Sequence, residues 1–352
     1  MKTQKTSLLV ILILLAFVLQ GFSTVSATNE KPVRLVVDFY PNYAGHLLGV
    51  AEIGYQSNYS DTYHLSVNKK DLKYLKAHKE LLRWEIGDEG PLTSVFISFP
   101  GYINPDTKKE LAEYLHDLNS AIALKSFDPF YKKYRESIKD LDLWCGFSVS
   151  SYIFDYEEEI QTLSQIFMNN FDAFKNWVWP RESEQMQMIA NSMNYQLKKL
   201  DLISKWEELT GIDFKAPAYK VVLSTGMANG PTGKSLGYEK EWCYYGENKN
   251  DLVSRICQDA GRRLLVDVCC NKYKEYDPLL CYEVYEALNK YLTGIILDDA
   301  GLRFRSGQSL NGQSDLYAIF DSIRSSSPEI DAHDLYSIAL DNYSKAYVIT
   351  GQ

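Results

Sequence analysis

Arg255-Ile-Cys-Gln-Asp-Ala-Gly-Arg-Arg-Leu-Leu-Val-Asp-Val-Cys269 is the stretch on which the reading of the fold turns. Leu252, Ile256, Ala260, Leu264 and Val268 recur every four residues, which predicts a strongly amphipathic helix over 250–271. Arg255, Asp259 and Arg263 also follow at steps of four. Taken alone they are ordinary ion pairs on a solvated face, each worth roughly a few tenths of a kcal/mol. Gly261 fits that account poorly, because glycine in mid-helix costs up to about 1 kcal/mol relative to alanine. It marks a place where another element packs close.

The neighbouring elements extend the pattern. Trp206-Glu-Glu-Leu-Thr-Gly211 closes a long helix, and Tyr219-Lys-Val-Val-Leu-Ser-Thr225 reads as a strand. Asn229-Gly-Pro231 is a turn, and Ser235 to Tyr245 is a second strand. The amphipathic helix follows, and Tyr282-Glu-Val-Tyr-Glu-Ala-Leu288 lies on another helix.

Over about residues 200 to 295 this order resembles that of secreted bacterial gluzincin-like zinc metallopeptidases. In them a strand pair precedes a helix bearing H-E-x-x-H, and a downstream helix supplies a third, glutamate ligand. The resemblance sets Gln258, Asp259, Ala260, Gly261 and Arg262 on the five motif positions. Glu286 falls on the third ligand, with Glu283 as the alternative. Neither histidine is present, and the acid is one methylene short. The resemblance therefore implies a metallopeptidase frame with a degenerate motif, no bound metal, no cofactor and no hydrolysis. It also implies that Arg262 or Arg263 pairs with Glu286, a cation standing where the metal would be, and that Asp259 contributes little to stability.

The N-terminus reads as an export signal. Lys2 and Lys5 precede an unbroken apolar run from Leu8 to Leu19, and Val25-Ser-Ala27 offers a cleavage site before Thr28. An uncleaved anchor is the alternative, although twelve apolar residues fall short of the roughly 20 needed for a span. Loss of the two lysines takes the net charge from −9 to −11. No basic stripe is present, which excludes nucleic acid and anionic lipid as expected partners. An unknown peptide or envelope protein, met outside the cytoplasmic membrane in a secreted or periplasmic setting, remains. The 26 tyrosines suit amphipathic helix packing, with a glycan- or peptide-binding surface as the functional alternative.

Five of the six cysteines, Cys243, Cys257, Cys269, Cys270 and Cys281, form a cluster. In an exported chain this predicts at least one disulfide; buried thiols are the alternative, and a thiolate zinc site lacks the C-x-x-C spacing. Ala228-Asn-Gly-Pro-Thr-Gly-Lys-Ser235 loosely matches a phosphate-binding loop, and Gly294-Ile-Ile-Leu-Asp-Asp299 the strand that would hold its magnesium. Pro231 removes a cradling N–H, and a strand rather than a helix is expected to follow, so a plain turn is favoured. His46, His64, His78, His116 and His333 are scattered; His46 is expected to pack or cap, and His116 to be solvated. A Cys257–His333 dyad and the carboxylate pairs Glu207-Glu208 and Asp298-Asp299 have no supporting motif. Asn58-Tyr-Ser60 and Asn342-Tyr-Ser344 are glycan acceptor sequons that matter only in a host that uses them.

The chain therefore reads as α+β and predominantly helical. Its parts are a signal peptide (1–27), a mostly helical region that begins with a β segment (28–215), and a gluzincin-like region (216–352) whose small strand pair packs on the motif helix. A catalytically inactive metallopeptidase homologue is the expected function. The competing readings are a hydrolase of unrecognised carboxylate or cysteine chemistry, and a structural envelope protein.

Overall fold

A computed structural model of the chain describes residues 31–55, 58–85, 88–138, 151–227, 233–244, 248–269, 276–302 and 313–350. The first strand is β1 (Val33–Val36), and helices dominate after it. They run α1 (Phe39–Ala51), α2 (Asn58–Tyr63) and α3 (Lys69–Ala77), then a small hairpin, β2 (Trp84–Glu85) and β3 (Asp88–Glu89). After α4 (Phe99–Ile103) come α5 (Lys108–Ala123), α6 (Asp128–Ile138), α7 (Glu157–Ala173), α8 (Trp179–Leu200) and α9 (Leu202–Thr210). Then follow β4 (Tyr219–Ser224), β5 (Gly233–Ser235), β6 (Lys240–Tyr244), α10 (Lys249–Cys269), α11 (Pro278–Asp299), α12 (Gln313–Ser326) and α13 (Ala332–Thr350). The fold is mostly helical with a small four-stranded sheet, an α+β arrangement. No helix among the described residues is long and apolar enough to cross a membrane.

The sheet has the order β1-β4-β6-β5. β1 pairs with β4 in parallel, from Val33 opposite Tyr219 to Val36 opposite Val222. β4 pairs with β6, also in parallel, and β5 turns back on β6 with Gly233 opposite Cys243. One sequence expectation is corrected here. The segment 235–245 is not one strand, because the Leu236 and Gly237 amides both bond the Lys240 carbonyl and fold the chain into a turn. The expected pairing of 219–225 with the second strand holds for its Lys240–Tyr244 part, in parallel, and β4 has β1 as a further parallel neighbour. A strand buried on both faces needs no polar alternation, and Val221, Val222 and Leu223 are all buried.

Alternate residues of the sheet feed two cores. Val222 and Trp242 join the rings of α1, α4, α5 and α7 on one face. Tyr219, Val221, Leu223 and Cys243 join α8 to α13 on the other. β1 belongs to the same sheet as β4, and the change of core falls near the start of α8. The helix over β4 comes very near: a Cβ on Gly45 of α1 would lie 2.5 Å from the Trp242 ring. On the outer side, Asn194 of α8 closes the β1 edge. Its Oδ1 accepts from the Leu35 amide at 2.7 Å, and its Nδ2 donates to the Leu35 carbonyl at 3.0 Å.

Local geometry sets several element boundaries. The initial β segment is the short β1, ending at Val36, and Phe39 opens a helix whose thirteen residues are all buried. The long helix that ends at Gly211 is broken into α8 and α9 at Asp201, which takes a left-handed φ of 46°. Residues 94–98 and 174–178 widen into π turns. Helix α5 is capped by Thr107, with Glu110 completing a capping box.

Candidate functional site on the motif helix

Helix α10 is wedged between the sheet and α11. Gly261 lies at the tightest point: an added Cβ would be 2.2 Å from the Trp206 ring and 2.4 Å from Asn289 Oδ1. This is the close packing that the glycine signalled. Three carbonyls of the helix take outside donors. Trp206 Nε1 bonds Cys257 O at 2.9 Å, Asn289 Nδ2 bonds Gln258 O at 3.0 Å, and Tyr285 Oη bonds Arg262 O at 3.0 Å. α10 is thereby held by its own backbone as well as by its apolar stripe.

Arg262 bridges α10 and α11. Its Nε and Nη2 donate to the two oxygens of Glu286 at 3.0 and 2.9 Å, a bidentate pair. Its Nη1 donates to Asp259 Oδ1 at 2.6 Å. Glu286 and Asp259 are buried, and about a third of the Arg262 side chain, 34 %, remains open. Burial alone would lower the Arg262 pKa; the charges of Asp259 and Glu286 outweigh it and hold the guanidinium firmly protonated. Of the two arginines expected near Glu286, Arg262 is the one that reaches it. Glu283, the alternative, is exposed. Gln258 is half-buried, and only its carbonyl enters the network described above.

Arg263 goes elsewhere. It is 4 % exposed, with Nη2 3.8 Å from Glu241 and its guanidinium 5.7 Å from the centre of the Tyr219 ring. Glu241 on β6 is 1 % exposed and accepts from the Tyr219 hydroxyl. Burial first, and the nearby Asp259 carboxylate second, push the Glu241 pKa well up. Asp259 therefore sits between two systems, bonded to Arg262 and facing Glu241. Its other oxygen lies 3.9 Å from where a Cβ on Gly233 of β5 would be. The reading of this face as solvated surface ion pairs is corrected: Asp259 and Arg263 are buried, and Asp259 pairs with Arg262. Sequence reasoning did not find Glu241, Tyr219 or Asn289. The available signal was Lys240-Glu241, two charges inside a strand that ends in Trp-Cys-Tyr.

The other sequence motifs dissolve. Lys234, the lysine of the loose phosphate loop, pairs with Glu89 and lies over the Trp84 ring. Residues 228–232 are outside the described residues, and 294–299 belong to helix α11 rather than to a strand. Cys243, Cys257 and Cys281 carry buried thiols and form no disulfide with one another, which corrects the disulfide expectation for those three. Each is packed on a different element, β6, α10 or α11. The side chains of Cys269 and Cys270 fall outside the described residues. Burial pushes the Cys257 thiol up to about 12, which leaves it a poor nucleophile. His46 packs in the interior, between Tyr59 Oη and Ser66 Oγ at 3.0 Å each, and burial lowers its pKa to about 3. His116 is exposed. Among the described residues no group of three or more histidine, cysteine, aspartate or glutamate side chains comes together to hold a metal ion.

No protein family, curated protein or solved structure matches the chain.

Proposed function

We propose that this chain is an exported, catalytically silent homologue of gluzincin-like metallopeptidases, in which a guanidinium has taken the place of the metal. The observation that carries this reading is the Arg262 bridge. One cation joins the motif helix to the downstream glutamate at 3.0 and 2.9 Å, between the two elements that would share a zinc ion. An arginine cannot polarise a carbonyl as a Lewis acid or lower the pKa of a bound water. What such a frame retains is a place for an extended peptide or an envelope partner. β5 is the sheet edge nearest Asp259 and Arg255, and its outer side suits strand addition. The rival reading, acid–base catalysis by the Glu241–Asp259 pair, is disfavoured by the 1 % exposure of Glu241.

The test is to rebuild the metal site. Gln258→His with Arg262→His places imidazoles one turn apart opposite Glu286 and removes the blocking cation. The purified wild type should hold no stoichiometric zinc and keep its melting temperature in a chelator. The double variant should bind one zinc ion and lose thermal stability when it is chelated. Zinc in the wild type, or none in a folded double variant, would sink the reading.

A further inference from the structure

A cleft of about 580 Å³ opens where α9, α11 and α12 all end, some distance from the motif helix. Its floor is apolar, with Leu209, Ile295 and Ile296, and its walls are charged. Two cations, Lys205 and Arg324, and four carboxylates, Asp299 and Glu329 among them, line the same space. Among the described residues neither cation is ion-paired with any of these carboxylates. Arg324 Nη1 is buried and has no hydrogen-bond partner. A guanidinium N–H held out of water without an acceptor is costly, and buried polar groups of this kind are normally satisfied.

We infer that this cleft binds a small zwitterion with an apolar side chain: a free amino acid or the end of a short peptide. Arg324 supplies the fork that a planar carboxylate fits. Three helix C-termini point their negative ends at the cleft, and with the four carboxylates they favour an ammonium group. The balance of two cations against four acids works against phosphates and other polyanions. The isoleucine floor takes an aliphatic side chain, and the volume lies within the range of small-molecule sites. This inference is independent of the reading of the motif helix. Glu286 and Asp299 both lie on α11 but are separated by about 20 Å along its axis.

Titration calorimetry on the full chain tests it with four probes: L-leucine, L-leucyl-L-leucine, N-acetyl-leucine and leucinamide. Leucine or the dipeptide should bind saturably. If only the dipeptide binds, the natural ligand is a chain end; if leucine binds, it is the free amino acid. N-acetyl-leucine and leucinamide, each lacking one charge, should bind at least tenfold more weakly than the tighter of the two. Arg324→Gln should cost a further tenfold or more while the circular dichroism spectrum and melting temperature hold. Arg324→Lys, which keeps the charge and loses the fork, serves where the glutamine variant does not fold. The inference is overturned if neither leucine nor its dipeptide binds, if N-acetyl-leucine or leucinamide binds as well as the tighter of the two, or if a folded Arg324 variant binds like the wild type.

Discussion

On one face of the sheet Trp242 and Val222 meet rings; on the other Tyr219 and Glu241 meet ions. Trp84 stacks on Trp242 at 4.5 Å, and Tyr40 and Tyr43 direct their hydroxyls to the carbonyls of Phe96 and Phe167. Phe96 lies in a π turn, where the wide register tilts carbonyls away from the helix axis and leaves them open to a side-chain donor. Here the abundant tyrosines act as packing residues with a satisfied polar tip. The opposite face buries Asp259, Arg263, Glu241 and Glu286 and closes their charges on one another. A ring core tolerates loss of one bond in many. A buried ionic network is sensitive to each member, because removing one leaves another uncompensated.

The largest expected effect lies where the two kinds of packing meet. Gly261→Ala pushes a methyl into both Trp206 and Asn289, so either the indole or α11 must move. Overpacking of a filled site costs about 1–3 kcal/mol, and contacts near 2.2 Å belong at or above the top of that range. Chemical denaturation would show it; a loss below about 1 kcal/mol would mean that α10 and α11 are not held as described.

Acid and alkali should separate the two faces. His46, on the aromatic face, has its pKa depressed from 6.5 to about 3. Below pH 6.5 the unfolded chain takes up a proton that the folded chain refuses, so this group's contribution is lost as pH falls toward 3. At about 1.4 kcal/mol per unit, the loss reaches roughly 3 kcal/mol by pH 4. Glu241, on the ionic face, has its pKa raised. Its contribution is whole below the ordinary carboxylate range and is lost as pH rises toward the folded value. Melting curves against pH should therefore show His46→Gln relieving the acid limb alone, and Glu241→Gln the alkaline limb alone. A variant that relieves the wrong limb breaks the comparison.

Within the ionic face the members should be unequal. Glu286→Ala leaves Arg262 facing a void. Breaking a buried pair costs about 3–5 kcal/mol, and the partial exposure of Arg262 reduces this to about 2–3 kcal/mol. Asp259→Ala removes one bond of that network and costs about 1–2 kcal/mol, but it should also lower the Glu241 pKa and extend the alkaline limb. Replacing both Arg262 and Glu286 by apolar residues should recover most of the loss. A double-mutant cycle that shows no coupling would separate the two helices.

The motif helix and the close packing at Gly261 were legible from periodicity and a mid-helix glycine, whereas a pair between Arg262 or Arg263 and Glu286 was only what the family resemblance implied. The choice of Arg262 over Arg263 was not legible, because Glu241 comes from a strand whose contacts with that helix no local pattern specifies. The pairing of 219–225 with 240–244 was legible, but for the same reason the second parallel neighbour of β4, the far-upstream β1, was not. Asp259 looked like a surface charge because its i±4 arginines suggested solvent. It is instead buried, paired with Arg262, near Glu241 and close to Gly233 of β5, a strand only three residues long.

The pairing of β1 with β4 also sets a timetable. Val33 finds its partner Tyr219 only after 186 further positions have been made. At the usual 5–20 residues per second a ribosome needs on the order of ten to forty seconds for that stretch. Until then the helices from α1 to α7 have no sheet to lie on, and the face that will receive Trp242 stays wet. The nascent chain is thus kept from completing itself early. That delay leaves it open to whatever carries unfolded chains, and equally to aggregation.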